Sequence, residues 1–438
     1  MHGSVRHKRT PCREHPAVVD YLELKVNLAN AAGAPESFVA RPTVLIAGAG
    51  IAGPALAQRL LSHGFRPTLV ERAPALRTSG YVIDFWGKGY DVVESMGLRD
   101  QVLSAGYKIR EVRIVDEEGK KTGGFDAGVF RAAAGDRFTS LRRSDLSAIL
   151  FKAIDDRVET IWGDSVVALD DGPQAVRVTF ERAPAREFDL VVGADGLHSK
   201  IRELTFGPEG QFEFFLRYVV GAFECAGYEP RDPDIYVAHA APGKQVARFA
   251  MRDGRTMFLL IAVDDGRADS MPRDLDAQKA FLQRRFAYVG WECPRILTAL
   301  QTCDEVYLDR VSQIRMPHWS QGRVCLIGDA AFAPSLLAGQ GAALAIIAAD
   351  VLAGELARHA SHSDAFRAYE RLLRPIMERK QRAAVRTGSA FAPRTRLGIE
   401  LRNLATKLLR VPSLARLSLR GTFDDDVQIP DYGELAQS

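Results

Sequence analysis

Three glycines and an acid carry the first chemistry of this chain. Gly48, Gly50 and Gly53 stand in G-x-G-x-x-G spacing, and Glu71 follows about 20 residues later. The first glycine allows a tight turn, the second lets backbone approach a pyrophosphate, and the third lets a helix pack close to a strand. An acid at that distance can take ribose hydroxyls. The pattern points to a dinucleotide and leaves FAD and NAD equally open. Two more acids occupy glycine-bounded turns: Asp195 in Gly193-Ala194-Asp195-Gly196, and Asp329 in Gly328-Asp329-Ala330-Ala331. Arg143 stands just ahead of a helical stretch, where a cation beside free helix N–H groups suits a phosphate. Arg77 and Asp84 are placed where a cofactor would meet the chain, although each also reads as a solvated loop charge.

The elements that must position these residues are legible around them. Val44-Leu45-Ile46-Ala47 is an apolar run of the kind that forms a buried parallel strand. A helix is predicted from Ile51 to His63, with Pro54 in its first turn and Gly64 ending it. Thr68-Leu69-Val70 is a second strand. Gly80 introduces a strand over Tyr81–Phe85, and a helix follows over Gly89–Met96. Ser144 reads as an N-cap for a helix through Ala153. Asp195 and Asp329 each end a buried strand, Leu190–Val192 and Arg323–Ile327, at the edge where open α/β sheets keep ligands. A loop over Phe332–Gln340 leads to Gly341 and a long alanine-rich helix.

Between these pieces the texture changes. Lys108–Ser140 reads as short antiparallel strands with turns at Glu117-Glu118-Gly119 and Gly123-Gly124. Val158–Phe180 reads as two strands joined at Asp170-Asp171-Gly172. Phe214–Phe223, Ile235–Ala240, Gln245–Met251 and Thr256–Val263 read as an antiparallel sheet, interrupted by one helix over Asp274–Tyr288. Arg217, Tyr236, His239 and Arg248 lie on these strands and read as ordinary strand residues. The tail from Ala365 to Arg420 is helical and basic; its leucines 397, 401, 404 and 408 are expected to pack on the body.

The chain has 438 residues, enough for two cores, with 47% hydrophobic and 26% charged residues, an ordinary globular balance. A net charge of +3 gives no reason to expect nucleic acid. Cys12, Cys225, Cys293, Cys303 and Cys325 are scattered without C-x-x-C, so neither a disulfide framework nor a metal site is expected. That usage fits the cytoplasm. No apolar run reaches the ~18 residues of a membrane span. The start is basic (Arg6, His7, Lys8, Arg9, Arg13) without an apolar run after it, so residues 1–40 read as a disordered extension and not a secretory signal.

A glycine loop, an Asp-Gly turn and a Gly-Asp turn, each after a buried strand, together resemble the class A flavoprotein monooxygenases with the p-hydroxybenzoate hydroxylase fold. GAGIAG with Glu71-Arg72 resembles the first fingerprint of that family, GADGLHSKIR the second and RVCLIGDAA the third. GYVIDF and LRRSDLSAIL are also similar to the tetracycline-inactivating members. The resemblance implies an α/β fold: a Rossmann-like FAD-binding domain (41–107, 141–210, 311–364) interleaved with an antiparallel-sheet substrate domain (108–140, 211–310), plus C-terminal helices (365–438). It implies that Gly48, Gly50 and Gly53 hold the FAD pyrophosphate, Glu71 the ribose, Arg143 and Asp84 further parts of FAD, and Arg77 the nicotinamide cofactor. Asp195 falls in the segment tied to both cofactors, and Asp329 on the ribityl or pyrophosphate part. Gly341 and Ala342 would bring a helix N-terminus to the flavin pyrimidine edge, where its dipole favours the charge of reduced flavin. Two departures stand out: Phe332 replaces the usual histidine after Gly-Asp-Ala-Ala, and Ser335-Leu336 stand where two prolines are common, with Pro334 one position early.

The implied function is an NAD(P)H-using FAD monooxygenase of the kind found in secondary metabolism, a hydroxylase. It would act through a flavin C4a-hydroperoxide on O2 and a small aromatic or polyketide-like substrate. The flavin carries that chemistry, so no catalytic side chain is assigned. The alternatives are a flavin dehydrogenase or reductase on the same fold and a flavin-binding protein without turnover, which the altered 332–336 loop permits. No Gly-Trp-x-Trp-x-Ile-Pro segment supports a halogenase.

Overall fold

In the computed structural model the Thr43–Ala47 strand is the centre of a six-stranded sheet. The structure describes residues 1, 42–77, 80–134, 137–229, 232–266, 271–409 and 428–433; the expected extension over residues 1–40 lies almost wholly outside them. The sheet order is Ser320–Gln321, Val324–Leu326, Leu190–Gly193, Thr43–Ala47, Arg66–Glu71, Glu159–Trp162. All pairings are parallel except that of Ser320–Gln321. Val44, Leu45 and Ile46 are fully buried, as a strand covered on both faces requires. From the central strand the chain pairs first to one side (Arg66–Glu71) and later to the other (Leu190–Gly193, then Val324–Leu326). The order therefore reverses at the central strand, and a crevice opens beyond its carboxyl end. The three turns carrying Gly48, Asp195 and Asp329 all sit along that edge.

Packing dictates two of the glycines. Gly48 has φ of 108°, and a Cβ there would lie 2.5 Å from the Ala194 carbonyl oxygen of the neighbouring strand end. A Cβ on Gly53 would lie 1.9 Å from the Gly48 oxygen, so the Ala52–Ser62 helix can follow the loop this closely only with glycine there. That helix packs beside the Gly341–Arg358 helix and is tied to it by a buried Arg59–Asp350 ion pair at 2.7 Å.

The second sheet has seven strands: Tyr307–Ile314, Glu213–Ala226, Arg255–Val263, Lys244–Ala250, Ile235–Ala241, Glu111–Val115, Lys121–Asp126. It is antiparallel except where Ile235–Ala241 meets Glu111–Val115. Its edge strand Tyr307–Ile314 straddles the position expected to divide two domains. A two-stranded ribbon, Val82–Trp86 with Phe138–Arg142, lies near the crevice.

Several local expectations are corrected. Gly123-Gly124 is not a turn but the middle of the Lys121–Asp126 strand, paired with Arg113 and Ile114. Val158–Phe180 holds three strands, because Glu159–Trp162 joins the parallel sheet while Val166–Asp171 and Val176–Phe180 belong to a separate three-stranded sheet completed by Arg186–Phe188. Two helices, Leu275–Phe286 and Cys293–Gln301, interrupt the large sheet's strands, where one was expected. Ser144 does not cap its helix, which begins at Arg143 with Arg142 as N-cap. Phe332 is the last residue of a short helix, Asp329–Phe332, and not the start of a loop. The tail forms helices over His362–Phe391 and Arg396–Leu408; the rest of the expected helix up to Arg420 lies outside the described residues. The leucines of the second helix do not pack on the body: Leu397, Leu401, Leu404 and Leu408 are all exposed.

Candidate functional site

The glycine loop and the helix starting at Arg143 are built as one piece. Ser147, one turn into that helix, donates to the Gly50 carbonyl at 2.9 Å. This places the Arg143 guanidinium beside the loop, 3.7 Å from where a Cβ on Gly50 would stand. Across the crevice is Asp329, whose carboxyl feels Arg143 and lies 3.8 Å from the Cβ position of Gly341. Gly50, Arg143, Asp329 and Gly341 thus converge on one cradle, although 291 residues separate the first from the last in the chain.

Asp329 accepts no hydrogen bond from the described residues. Gly328 is the N-cap of its short helix, and the Ala331 and Phe332 amides go to the Gly328 carbonyl, so the carboxylate is not spent on capping. Burial pushes its pKa above the usual range, with Arg143 opposing the shift. A desolvated carboxylate aimed into a crevice and free of protein donors is suited to accept hydroxyls from a ligand. Tyr81 and Tyr307 border the same place with ring centroids 5.5 Å apart, and burial raises both phenols. No spacing in the sequence links these two, because 226 residues separate them.

Glu71 is anchored inward. Its oxygens accept the amides of Ala49 at 2.8 Å and Ala73 at 2.9 Å, so it props the glycine loop. Arg72 and Arg77 are exposed on the chain just beyond it. Asp195 is largely committed elsewhere: it accepts from the Ser199 hydroxyl at 2.5 Å and from the Lys200 and Ile201 amides at 2.7 and 3.1 Å, fastening the Lys200–Phe206 helix. In that helix Arg202, fully buried, donates to the Ala330 carbonyl at 3.1 Å and to Glu209 at 2.6 Å. The second turn therefore holds the third in place, a role the sequence did not reveal.

Asp84 is not part of the Arg143–Asp329 pair. It accepts from Ser140 across the ribbon and faces Tyr236 of the large sheet. Desolvation by the surrounding protein raises its pKa, with the Ser140 hydrogen bond opposing the shift. The Tyr236 phenol is also raised, first by desolvation and then by Asp84. The other residues singled out on these strands serve the sheet. Arg248 pairs with Glu292 and Asp232 at 2.9 and 2.7 Å, His239 bonds the Val115 carbonyl, and Arg217 sits at a β-bulge with φ of 66°.

The departures in the 332–336 loop have structural replacements. Phe332 is buried against Trp319 at 4.7 Å between centroids. Ser335 takes the left-handed region, φ 97°, which a non-glycine residue occupies at a cost of about 1–3 kcal/mol. Two buried amides hold the backbone there. Gln381 donates to the Ile314 carbonyl at 2.7 Å and the Phe332 carbonyl at 3.1 Å, and Gln313 donates to the Pro334 carbonyl at 3.0 Å. Gln381 sits in the middle of the His362–Phe391 helix, where no local pattern marks it.

Among the described residues there is no cluster of His, Cys, Asp and Glu able to hold a metal, and no helix long and apolar enough to cross a membrane. The cradle fits a flavin dinucleotide. It offers glycine backbone, a guanidinium, an unspent carboxylate, and at Gly341 the start of an 18-residue helix. Residues 41–384 match the family model described as FAD binding domain. An uncharacterized protein of Mycobacterium tuberculosis is 39% identical over 72% of this chain and 84% of its own length. A flavin-dependent monooxygenase from an unknown prokaryotic organism is 33% identical over 80% of this chain and 90% of its own. The crystal structure of the tetracycline destructase Tet(51) is similar with TM-score 0.77, 28% identity, and coverage of 90% of this chain and 100% of that one.

Proposed function

The chain belongs to the FAD binding domain family and is an FAD-dependent monooxygenase; on that premise we propose that it takes reducing equivalents from NAD(P)H and inserts one atom of O2 into a small aromatic or polyketide-like substrate. Bound FAD supplies the redox and oxygen-activating chemistry. The protein's part is to bind, orient and exclude water. Gly48, Gly50 and Gly53 leave room for the pyrophosphate beside the first helix, and Arg143 neutralises it. Asp329 accepts cofactor hydroxyls, and the Gly341–Ala342 helix start places its positive dipole end at the flavin. Arg72 and Arg77 are exposed cations available to the phosphates of the nicotinamide cofactor, and the Asp195 turn borders that approach. Asp84, beside Ser140 and Tyr236, is a further contact for FAD.

The observation that carries this reading is the convergence of Gly50, Arg143, Asp329 and Gly341 with an unspent carboxylate among them. The aromatic side chains lining the crevice, Tyr81 and Tyr307, support a planar substrate. The test is a substrate screen that follows NADH or NADPH consumption under ¹⁸O2 with product masses. Substrate-stimulated consumption with one labelled oxygen in the product is the expected result. Reduction of flavin without oxygen transfer to any product would assign a reductase, and no reduction by either nucleotide would assign a binding protein.

A further inference from the structure

The Arg396–Leu408 helix wears its apolar residues outward. Leu397, Leu401, Leu404 and Leu408 are 65%, 59%, 56% and 52% exposed. The opposite face does the packing: Thr406 accepts from the Gly124 amide at 3.0 Å, Asn403 donates to Thr122 at 3.1 Å, and Arg402 donates to Gln245 at 3.1 Å. The helix is attached to the large sheet through polar side chains, the inverse of an ordinary surface helix. Four leucines in one stripe on water mark an interaction surface.

The spacing narrows the partner. Successive leucines fall four, three and four residues apart, the alternation of a and d positions in a heptad. A stripe this narrow has the a/d geometry of a coiled-coil seam; a helix lying in a membrane surface carries a wider apolar face and a strongly charged opposite one. With leucine at every a and d, Glu400 and Lys407 take the two g positions, both exposed, and Gly398 and Ala405 the two e positions. In an antiparallel pair g faces g, so a two-fold axis brings each Glu400 opposite the Lys407 of the other copy. The small e residues allow close approach on the other flank. A parallel pair would set Glu400 against Ala405 and leave both charges unmatched.

We propose that this helix is a self-association surface. Two copies of the chain pair isologously and antiparallel through Leu397, Leu401, Leu404 and Leu408, flanked by two Glu400–Lys407 ion pairs. The seam is only 13 residues long, well short of a standard interface of about 1,600 Å², so the dimer is reversible and concentration dependent.

Sedimentation velocity of the FAD-loaded full chain over a concentration series reads the outcome. A monomer–dimer equilibrium is expected. Leu401→Glu with Leu404→Glu should raise the dimer Kd about tenfold or more, at unchanged flavin content and circular dichroism, because those side chains face away from the body. Glu400→Lys and Lys407→Glu should each weaken the dimer, and the two together should restore it. A parent that stays monomeric overturns the proposal, as does a dimer indifferent to the leucine changes. Failure of the double charge reversal to restore association overturns the antiparallel register. A monomeric parent that binds phosphatidylserine vesicles through these leucines would assign the face to a membrane instead.

Discussion

Replacing Asp329 with alanine separates a ligand-binding carboxylate from a structural one. In the folded chain this carboxylate accepts no hydrogen bond from the described residues, and its pKa is raised by burial with only Arg143 opposing. A carboxyl raised above its unfolded value weakens the fold once it ionises, so this group contributes nothing favourable to the apo-protein near neutrality. Asp329→Ala should therefore leave the apo-protein's melting temperature unchanged or slightly higher. The loss appears only with cofactor bound. One or two charge-assisted hydrogen bonds from hydroxyls are worth about 1.5–3 kcal/mol in all, which corresponds to a Kd for FAD roughly 10- to 150-fold weaker. Asp329→Asn keeps one acceptor and loses less. Apo-protein prepared by mild flavin removal is titrated with FAD by flavin fluorescence, and melting is followed by circular dichroism with and without FAD. A variant that binds FAD like the parent but melts much lower without it would show that Asp329 holds the fold and that the cradle is misassigned.

Arg143→Ala should weaken FAD by a similar roughly 1.5–3 kcal/mol, measured by the same titration, with folding intact because the parent side chain reaches into the cradle; unchanged affinity would refute the phosphate role. Gln381→Leu removes the donor to the Ile314 and Phe332 carbonyls, each left unsatisfied at about 1–3 kcal/mol; the holo-protein should melt several degrees lower and its flavin absorption bands should shift, and an unchanged spectrum would deny the loop any contact with flavin. His198 bonds Asp309 and Glu209, and these two carboxylates hold its pKa up to about 10. That contribution is fully present below the unfolded value near 6.5 and is lost as pH rises toward 10; His198→Gln should flatten the fall in melting temperature between pH 7 and 10, modestly, since the ring is more than half exposed.

Local chemistry made the cofactor half of this protein legible. The apolar run at Val44–Ala47, the three glycines and Glu71 have short-range reasons for being where they are: a strand buried on both faces, backbone with no room for a Cβ, and an acid one strand away. Asp195 and Asp329 were recognisable as strand-end acids, but sequence could not say which one is spent. That depends on whether neighbouring amides point at the carboxylate: Lys200 and Ile201 offer theirs to Asp195, whereas Gly328 takes the corresponding bonds at Asp329. The Tyr81–Tyr307 ring contact, the Arg202 bond to Ala330 and the Gln381 clamp each join residues more than 45 positions apart, and no period or spacing encodes such a meeting. The Arg396–Leu408 helix shows the limit most plainly. Its leucine spacing specified a helix with one apolar stripe, but only the tertiary structure determined which face meets the body, because the polar contacts of Arg402, Asn403 and Thr406 with the large sheet turn the leucines to the outside.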